Sequence, residues 1–226
     1  MTFDCSPAAS ATTSRRGLIG LTGAVAAVTA LGLPVASARA DTVPLDELMK
    51  PGDLAEMALG PAGAKVVIVE YASMTCGHCA RFHEQVFPKL KEQYIDTGKV
   101  RFILREFPLD NRAAAASMLG RCAGDDKVYP LVTVLFERQK DWAFVEGSPV
   151  DAMFELAKQA GFTRESFETC LKDQALLDKI LAQRERAASV FGVNSTPTFF
   201  INGERLKGGG TLEDFTKIID PILAKG

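Results

Sequence analysis

Histidine, tryptophan and any excess of positive charge are nearly missing from these 226 residues, which hold two His, one Trp, and 26 Lys and Arg against 28 Asp and Glu. The resulting formal net charge of −2 removes the electrostatic footprint expected of a nucleic-acid binder. With only His78 and His83 available, both within the same helical turns as a lone C-x-x-C, the usual mixed zinc site lacks ligands. A four-cysteine site drawing on Cys122 and Cys170 is the one metal reading left. Beyond residue 40 no run of about 18 or more uncharged apolar residues occurs, so no membrane span is expected there. Repeats and low-complexity tracts are also absent from that part. What is present, 47% apolar and 24% charged side chains, is the composition of an ordinary globular chain long enough for one good core.

The first forty residues stand apart. Arg15 and Arg16 precede an uncharged stretch, residues 17–38, that ends in Ala38-Arg39-Ala40. This is the layout of a cleavable export signal, with the mature N-terminus near Asp41. Pro34 interrupts the stretch, and its Ala, Gly and Thr content makes it a poor membrane anchor. The string Ser14-Arg15-Arg16-Gly17-Leu18-Ile19 resembles a twin-arginine signal, and the general secretory route stays open beside it. Removing residues 1–40 leaves 23 basic and 27 acidic side chains, and the mature chain is expected to be soluble in an oxidising compartment.

Cys5 leaves with the signal, so four cysteines remain: Cys76, Cys79, Cys122 and Cys170. Three pairings are formally open. The two-residue gap makes Cys76 and Cys79 natural partners and leaves Cys122 for Cys170.

The β-branched run at residues 65–71 reads as a buried strand, and a second follows at residues 100–104. From Cys79 the spacing turns helical, with Phe82, Val86, Phe87 and Leu90 on one side and a bend expected at Pro88. Residues 112–192 contain no convincing strand and predict four or five helices. Strand character returns at residues 198–201, Asn202-Gly203 marks a hairpin, and Thr211 with Asp214 reads as the capping box of a last helix. The expected architecture is α/β. Residues 41–64 form an N-terminal extension, with an edge strand near residues 54–58. A core is built from residues 65–111 and 193–226, and an all-helical insert occupies residues 112–192.

Cys76-Gly77-His78-Cys79 sits at the junction of a buried strand and a helix. Haem attachment needs His directly after the second cysteine, where Ala80 stands. A cysteine at a helix N-terminus meets unpaired amide N–H groups and the positive end of the helix dipole, which lower its pKa to roughly 3.5–7.5. Cys76 is therefore expected to be the exposed thiolate and Cys79 its more buried partner. His78 is placed to add a positive charge or a donor beside the sulfur, whereas His83 reads as part of a polar helix face. Glu70 interrupts the apolar strand six positions before Cys76. If buried it relays protons to or from Cys79; if at a solvated strand end it does nothing, and both readings stand.

The stretch from Val69 to Cys79, VEYASMTCGHC, together with Ser195-Thr196-Pro197-Thr198-Phe199, resembles the DsbA-type periplasmic disulfide oxidoreductases of the thioredoxin superfamily over nearly the whole mature chain. The resemblance implies a thioredoxin-like fold with the helical insert covering one side of the site. It implies a cis Thr196-Pro197 bond facing the redox pair, with Thr196 and Gly77 in contact with an extended substrate. It further implies a redox-active disulfide in place of any cofactor, no metal and reduced or unfolded exported proteins as clients. A quinone-linked membrane thiol oxidase as partner and a monomeric state complete what it implies. The pair Cys122 and Cys170 resembles the second, structural disulfide of some alphaproteobacterial members. Gly77-His78 is the dipeptide of eukaryotic disulfide isomerases, so a reductase or isomerase remains the alternative direction. A metallochaperone on the same fold is the non-enzymatic one.

Overall fold

The structure is a computed structural model that describes residues 41–124 and 126–225. The export-signal reading and Cys5 therefore lie outside the described residues.

Among the described residues, five strands make one mixed sheet: β1 (Met57–Leu59), β2 (Val66–Ala72), β3 (Val100–Glu106), β4 (Thr198–Ile201) and β5 (Glu204–Arg205), in the order β1-β3-β2-β4-β5. β2 and β3 run parallel, pairing Val66 with Val100 through to Ala72 with Glu106, and β4 lies antiparallel on the other side of β2. Such a central strand is covered on both faces, which is why its sequence is an almost unbroken β-branched run. Alternation assigns its residues to two cores. Val66, Ile68 and Ala72 join Phe102, Leu104, Phe199 and Ile201 on one face, while Val69 and Tyr71 join Ile103, Phe107 and Phe200 on the other. Glu70 keeps step with Ile68 and faces the first of these cores.

The sheet edges are closed by the N-terminal segment. Thr42 bridges Glu204 beyond β5, the short helix α1 (Leu45–Leu48) follows, and the chain then crosses to pair β1 with β3 at the opposite edge. The expected edge strand is thus real but begins at Met57, because its position is set by partners in β3 (Met57 with Leu104) and not by its own composition. The crossing is held by Arg105, 4% exposed, which donates to the Leu48 carbonyl, the Tyr71 hydroxyl and the Glu56 carboxylate. The β4–β5 turn has positive φ at both Asn202 (48°) and Gly203 (88°), the twist that suits a two-residue hairpin. A Cβ at Gly203 would stand 2.1 Å from the Val43 carbonyl oxygen, so only glycine fits.

Helix α2 (Gly77–Gln85) follows β2; α3 (Phe87–Leu90), with Pro88 in its first turn, and a π-turn over Lys91–Ile95 continue the path to β3. Proline lacks the N–H that a continuous helix would need there, so the chain restarts instead of bending smoothly. Between β3 and β4 come α4 (Asn111–Cys122), α5 (Val128–Glu137), α6 (Gln139–Trp142), α7 (Pro149–Ala157), α8 (Arg164–Leu171) and α9 (Gln174–Ser189). That is more than the four or five helices expected, because Arg138, with φ −100° and ψ 19°, separates α5 from the four-residue α6. The last helix, α10 (Leu212–Ala224), starts on the capping box of Thr211 and Asp214.

Candidate active site

Cys76 is the N-cap of α2, with extended backbone (φ −81°, ψ 116°) and no side-chain cap of its own. The turn that delivers it is braced from three directions. Its N–H donates to the Ser73 carbonyl (3.0 Å), and the Thr75 hydroxyl donates to Asp110 (2.7 Å), the N-cap of α4. From α6, the buried Gln139 amide donates to the Met74 carbonyl (2.8 Å) and the Cys76 carbonyl (3.1 Å). Gln139 has no local sequence signal, since it touches the site across more than sixty residues.

The two sulfurs differ in surroundings. Cys79 is fully buried, whereas Cys76 keeps 9% of its surface. Both are free thiols here. Cys76 is therefore less open than the sequence suggested: the Thr196 loop covers it, and its thiol donates to the Thr196 carbonyl at 3.2 Å. Gly77 and His78 remain exposed. A hydrogen bond from the Cys79 thiol, helped by the Thr196 side chain and the backbone amides of Cys79 and His78, brings Cys76 down from 9.0 to about 5, against the opposing effect of burial. The Thr196 hydroxyl oxygen is buried without a hydrogen-bond partner, which leaves it available to a thiolate. Cys79 is pushed the other way, well above the ordinary thiol range, first by burial, then by its bond to Cys76 and the negative charge of Glu70.

The Thr196–Pro197 peptide bond is cis. A groove of about 600 Å³ runs past it, lined by His78 and Arg81 of α2 on one side and Thr196, Pro197, Leu206 and Gly209 on the other.

Glu70 is completely buried, so of its two readings the solvated strand end is removed. Its Oε2 lies 2.8 Å from His83 Nε2, and its Oε1 has no hydrogen-bond partner. His83 is not on a polar helix face. It is 4% exposed, stacked on Phe136 (centroids 4.3 Å apart, 14° between planes) and edge-on to Phe82 (5.2 Å, 88°). The helical repeat carried the signal: His83 is four residues after Cys79 and adjoins the Phe82–Val86 stripe, so it shares the inward face.

Cys122 and Cys170 form a disulfide that joins the end of α4 to α8, with Cα atoms 6.2 Å apart; neither lines the groove. Among the described residues no group of three or more His, Cys, Asp or Glu side chains is placed to hold a metal ion, and no helix is long and apolar enough to cross a membrane.

Comparison with known proteins decides the family. The family model described as Thioredoxin matches residues 53–221. The crystal structure of alpha-DsbA1 from Wolbachia pipientis is 33% identical, covers 80% of this chain and 96% of its own, and superposes with a TM-score of 0.74. The chain is a DsbA-like member of the thioredoxin family. Among curated relatives, a putative protein-disulfide oxidoreductase of Rickettsia bellii is 34% identical over 148 residues, which cover 66% of this DsbA-like chain and 57% of that protein. The match thus spans under three fifths of that relative's length. BdbD of Bacillus subtilis, at 21% identity and a TM-score of 0.67 over 75% of this chain, shares the fold. The helical block between β3 and β4 belongs to that shared architecture: a thioredoxin-like sheet opened by an inserted helical subdomain.

Proposed function

We propose that this DsbA-like chain is a thiol-disulfide oxidoreductase that donates the Cys76–Cys79 disulfide to exported proteins. The observation that carries the reading is the asymmetry of the two thiols, with Cys76 lowered to about 5 and Cys79 raised well above the ordinary thiol range. A thiolate so stabilised favours the reduced enzyme and is a good leaving group, which together make the disulfide an oxidant. A substrate thiolate attacks Cys76 Sγ. The Cys76–Cys79 bond breaks, and Cys79 leaves with the electron pair and takes up a proton. A second substrate thiolate then attacks the substrate sulfur of the mixed disulfide and releases Cys76 as the thiolate. Two electrons and the disulfide have changed places.

Roles follow from position. Pro197 offers no N–H beside the sulfurs, so it leaves the Thr196 backbone to pair with an extended peptide, and Gly77 leaves the approach to Cys76 open. His78, exposed between the cysteines, is the rim donor to the Cys76 thiolate, and Glu70 exchanges protons with Cys79. Cys122–Cys170 acts as a structural staple. No cofactor is needed beyond the redox disulfide. The protein works as a periplasmic monomer after removal of residues 1–40, and a membrane quinone-linked thiol oxidase returns it to the disulfide form. These assignments rest on the motifs and on the likeness to DsbA-type proteins.

The test is the equilibrium of the Cys76 and Cys79 pair in glutathione buffers, with Cys79→Ser as control. A potential well above that of glutathione is expected. A potential near that of thioredoxin would sink the donor assignment and turn the reading toward a reductase or isomerase.

A further inference from the structure

The exchange reaction creates and removes a proton at a buried sulfur. Cys79 is fully buried, yet it must become a thiolate to close the disulfide and must be reprotonated after the disulfide opens. Glu70, whose charge acts on Cys79, is itself fully buried and shares a 2.8 Å hydrogen bond with a second buried titratable group, His83. A buried carboxylate alone would be forced to its neutral form, and a buried imidazole alone likewise. A carboxyl and an imidazole joined by one hydrogen bond can share a proton without leaving a net charge buried, whichever partner carries it. One Glu70 oxygen is left without a hydrogen-bond partner, which suits a group that must accept and return a proton.

We propose that His83 is the second half of a proton-storing pair, acting through Glu70 to take the proton that Cys79 sheds when the disulfide closes and to return it when the disulfide opens. His83 is a positioning residue in this scheme: it sets the proton occupancy of Glu70 and touches neither sulfur nor substrate. In closure, the Cys79 thiol loses its proton to the Glu70–His83 pair. Its sulfur attacks Cys76 Sγ, and the mixed-disulfide partner departs as a thiolate. Opening reverses each transfer, and the pair exchanges its proton with solvent between turnovers.

Few other groups compete for that proton. His83 is walled by Phe82 and Phe87 from its own chain segment and by Phe136 from α5. Tyr129 of α5 is also titratable: its phenol is raised by burial and then by Glu70, and its hydroxyl donates to the Met57 carbonyl. Glu56 and Glu106, more remote on the sheet side, are engaged by Arg105 and Arg121. His78 and Arg81 of α2 are exposed at the groove.

The inference rests on the exchange reading above, and the experiment separates the two. Reduced full-length chain is mixed with oxidised glutathione, quenched in acid and weighed intact, so that the glutathione-bound form and its closure by Cys79 are counted from about pH 5 to about pH 9. His83→Gln keeps an amide donor for Glu70 but carries no titratable proton. Its closure rate is expected to fall at least about tenfold at neutral pH, within the range of general-base effects. Its pH profile should climb steadily where the unsubstituted chain levels off, with the 240 nm titration of Cys76 unchanged. Glu70→Gln should give the same profile, and the double variant should be no slower than either alone, because both act in one unit. A His83→Gln chain with the unsubstituted rate and profile overturns the inference, as do effects that multiply. Either result leaves the exchange reading intact. If the unsubstituted chain forms the glutathione adduct and never closes it, both fall.

Discussion

If the Cys76 thiolate is as favoured as its surroundings dictate, the reduced protein should gain stability with pH over a window in which the disulfide form gains none. In the unfolded chain this thiol has its ordinary value of 9.0, and in the folded dithiol it is about 5. Between those values the unfolded state binds a proton that the folded state does not, so the stability of the dithiol form rises with pH. For a lowered group the contribution is complete above 9.0 and disappears as pH falls through about 5. At pH 7 the arithmetic is two pH intervals at about 1.4 kcal/mol each, or about 2.7 kcal/mol. Cys76 keeps 9% of its surface, and solvent screening there reduces that figure to roughly 1–2.5 kcal/mol. Cys79, raised above the ordinary thiol range, stays protonated throughout this window and adds nothing.

The assay is a pair of thermal melts, dithiol and disulfide, at about pH 4.5 and about pH 7.5. The gap between the two forms should shift in favour of the dithiol by roughly 2–10 °C for a chain of this size. Cys76→Ser has no disulfide form, and its melting temperature should lack the gain with pH that the dithiol form shows. The redox potential gives a second reading of the same proton. Below about pH 5 reduction takes up two protons and the potential falls by about 59 mV per pH unit; above it one proton is taken up and the slope halves to about 30 mV. A gap independent of pH, or a potential that keeps the steeper slope up to pH 8, would refute the assignment of Cys76 as a stabilised thiolate.

Replacing both Cys122 and Cys170 by Ser opens a closure of 48 residues and should lower stability by about 4 kcal/mol in the chain-entropy model, read from denaturant midpoints. Gly203→Ala forces a Cβ to within 2.1 Å of the Val43 carbonyl oxygen at a φ of 88°, and should cost at least about 2 kcal/mol by the same measurement; a neutral result would mean the N-terminal segment does not close the β5 edge. Gln139→Leu removes the donor to the Met74 and Cys76 carbonyls. It should destabilise by about 1–3 kcal/mol and move the Cys76 titration up toward an ordinary thiol as the turn relaxes away from the helix N-terminus; an unchanged titration would show that the turn holds itself.

The parts of the fold that could be read from sequence are those whose determinants are local. The runs that became β2, β3 and β4 announce themselves by β-branching, the Asn202-Gly203 turn by the conformations it needs, and α10 by Thr211 and Asp214. What could not be read depends on distant partners. The register of β1 comes from β3, the brace of Gln139 reaches the active-site turn from α6, and the cover over Cys76 comes from Thr196, 120 residues away. His83 lies between these cases. Its helical position already placed it on the inward face, but one charged-type residue on an apolar stripe reads as a boundary until Glu70 is known to be its partner. Glu70, in turn, was decided by period two: it pairs with Phe199 across the sheet and shares a face with Ile68, hence points toward α2.

These two periodicities also explain why two identical thiols, three residues apart, come to behave as opposites. A helix brings residues i and i+3 to the same side one turn apart, close enough for the Cys79 thiol to donate to the Cys76 sulfur. The same step carries Cys79 from the helix end, where amides are unpaired, into the first turn, where its sulfur faces the buried side of the sheet. There it meets the face on which alternation has put Glu70, so its charged form is opposed by burial and by a neighbouring negative charge. The asymmetry therefore starts from position, with Thr196 adding to the lowering at Cys76 and Glu70 to the raising at Cys79. It follows from placing a C-x-x-C at the first turn of a helix that packs on an acid-bearing strand, and moving either cysteine by one position would send its sulfur to another face and abolish the difference.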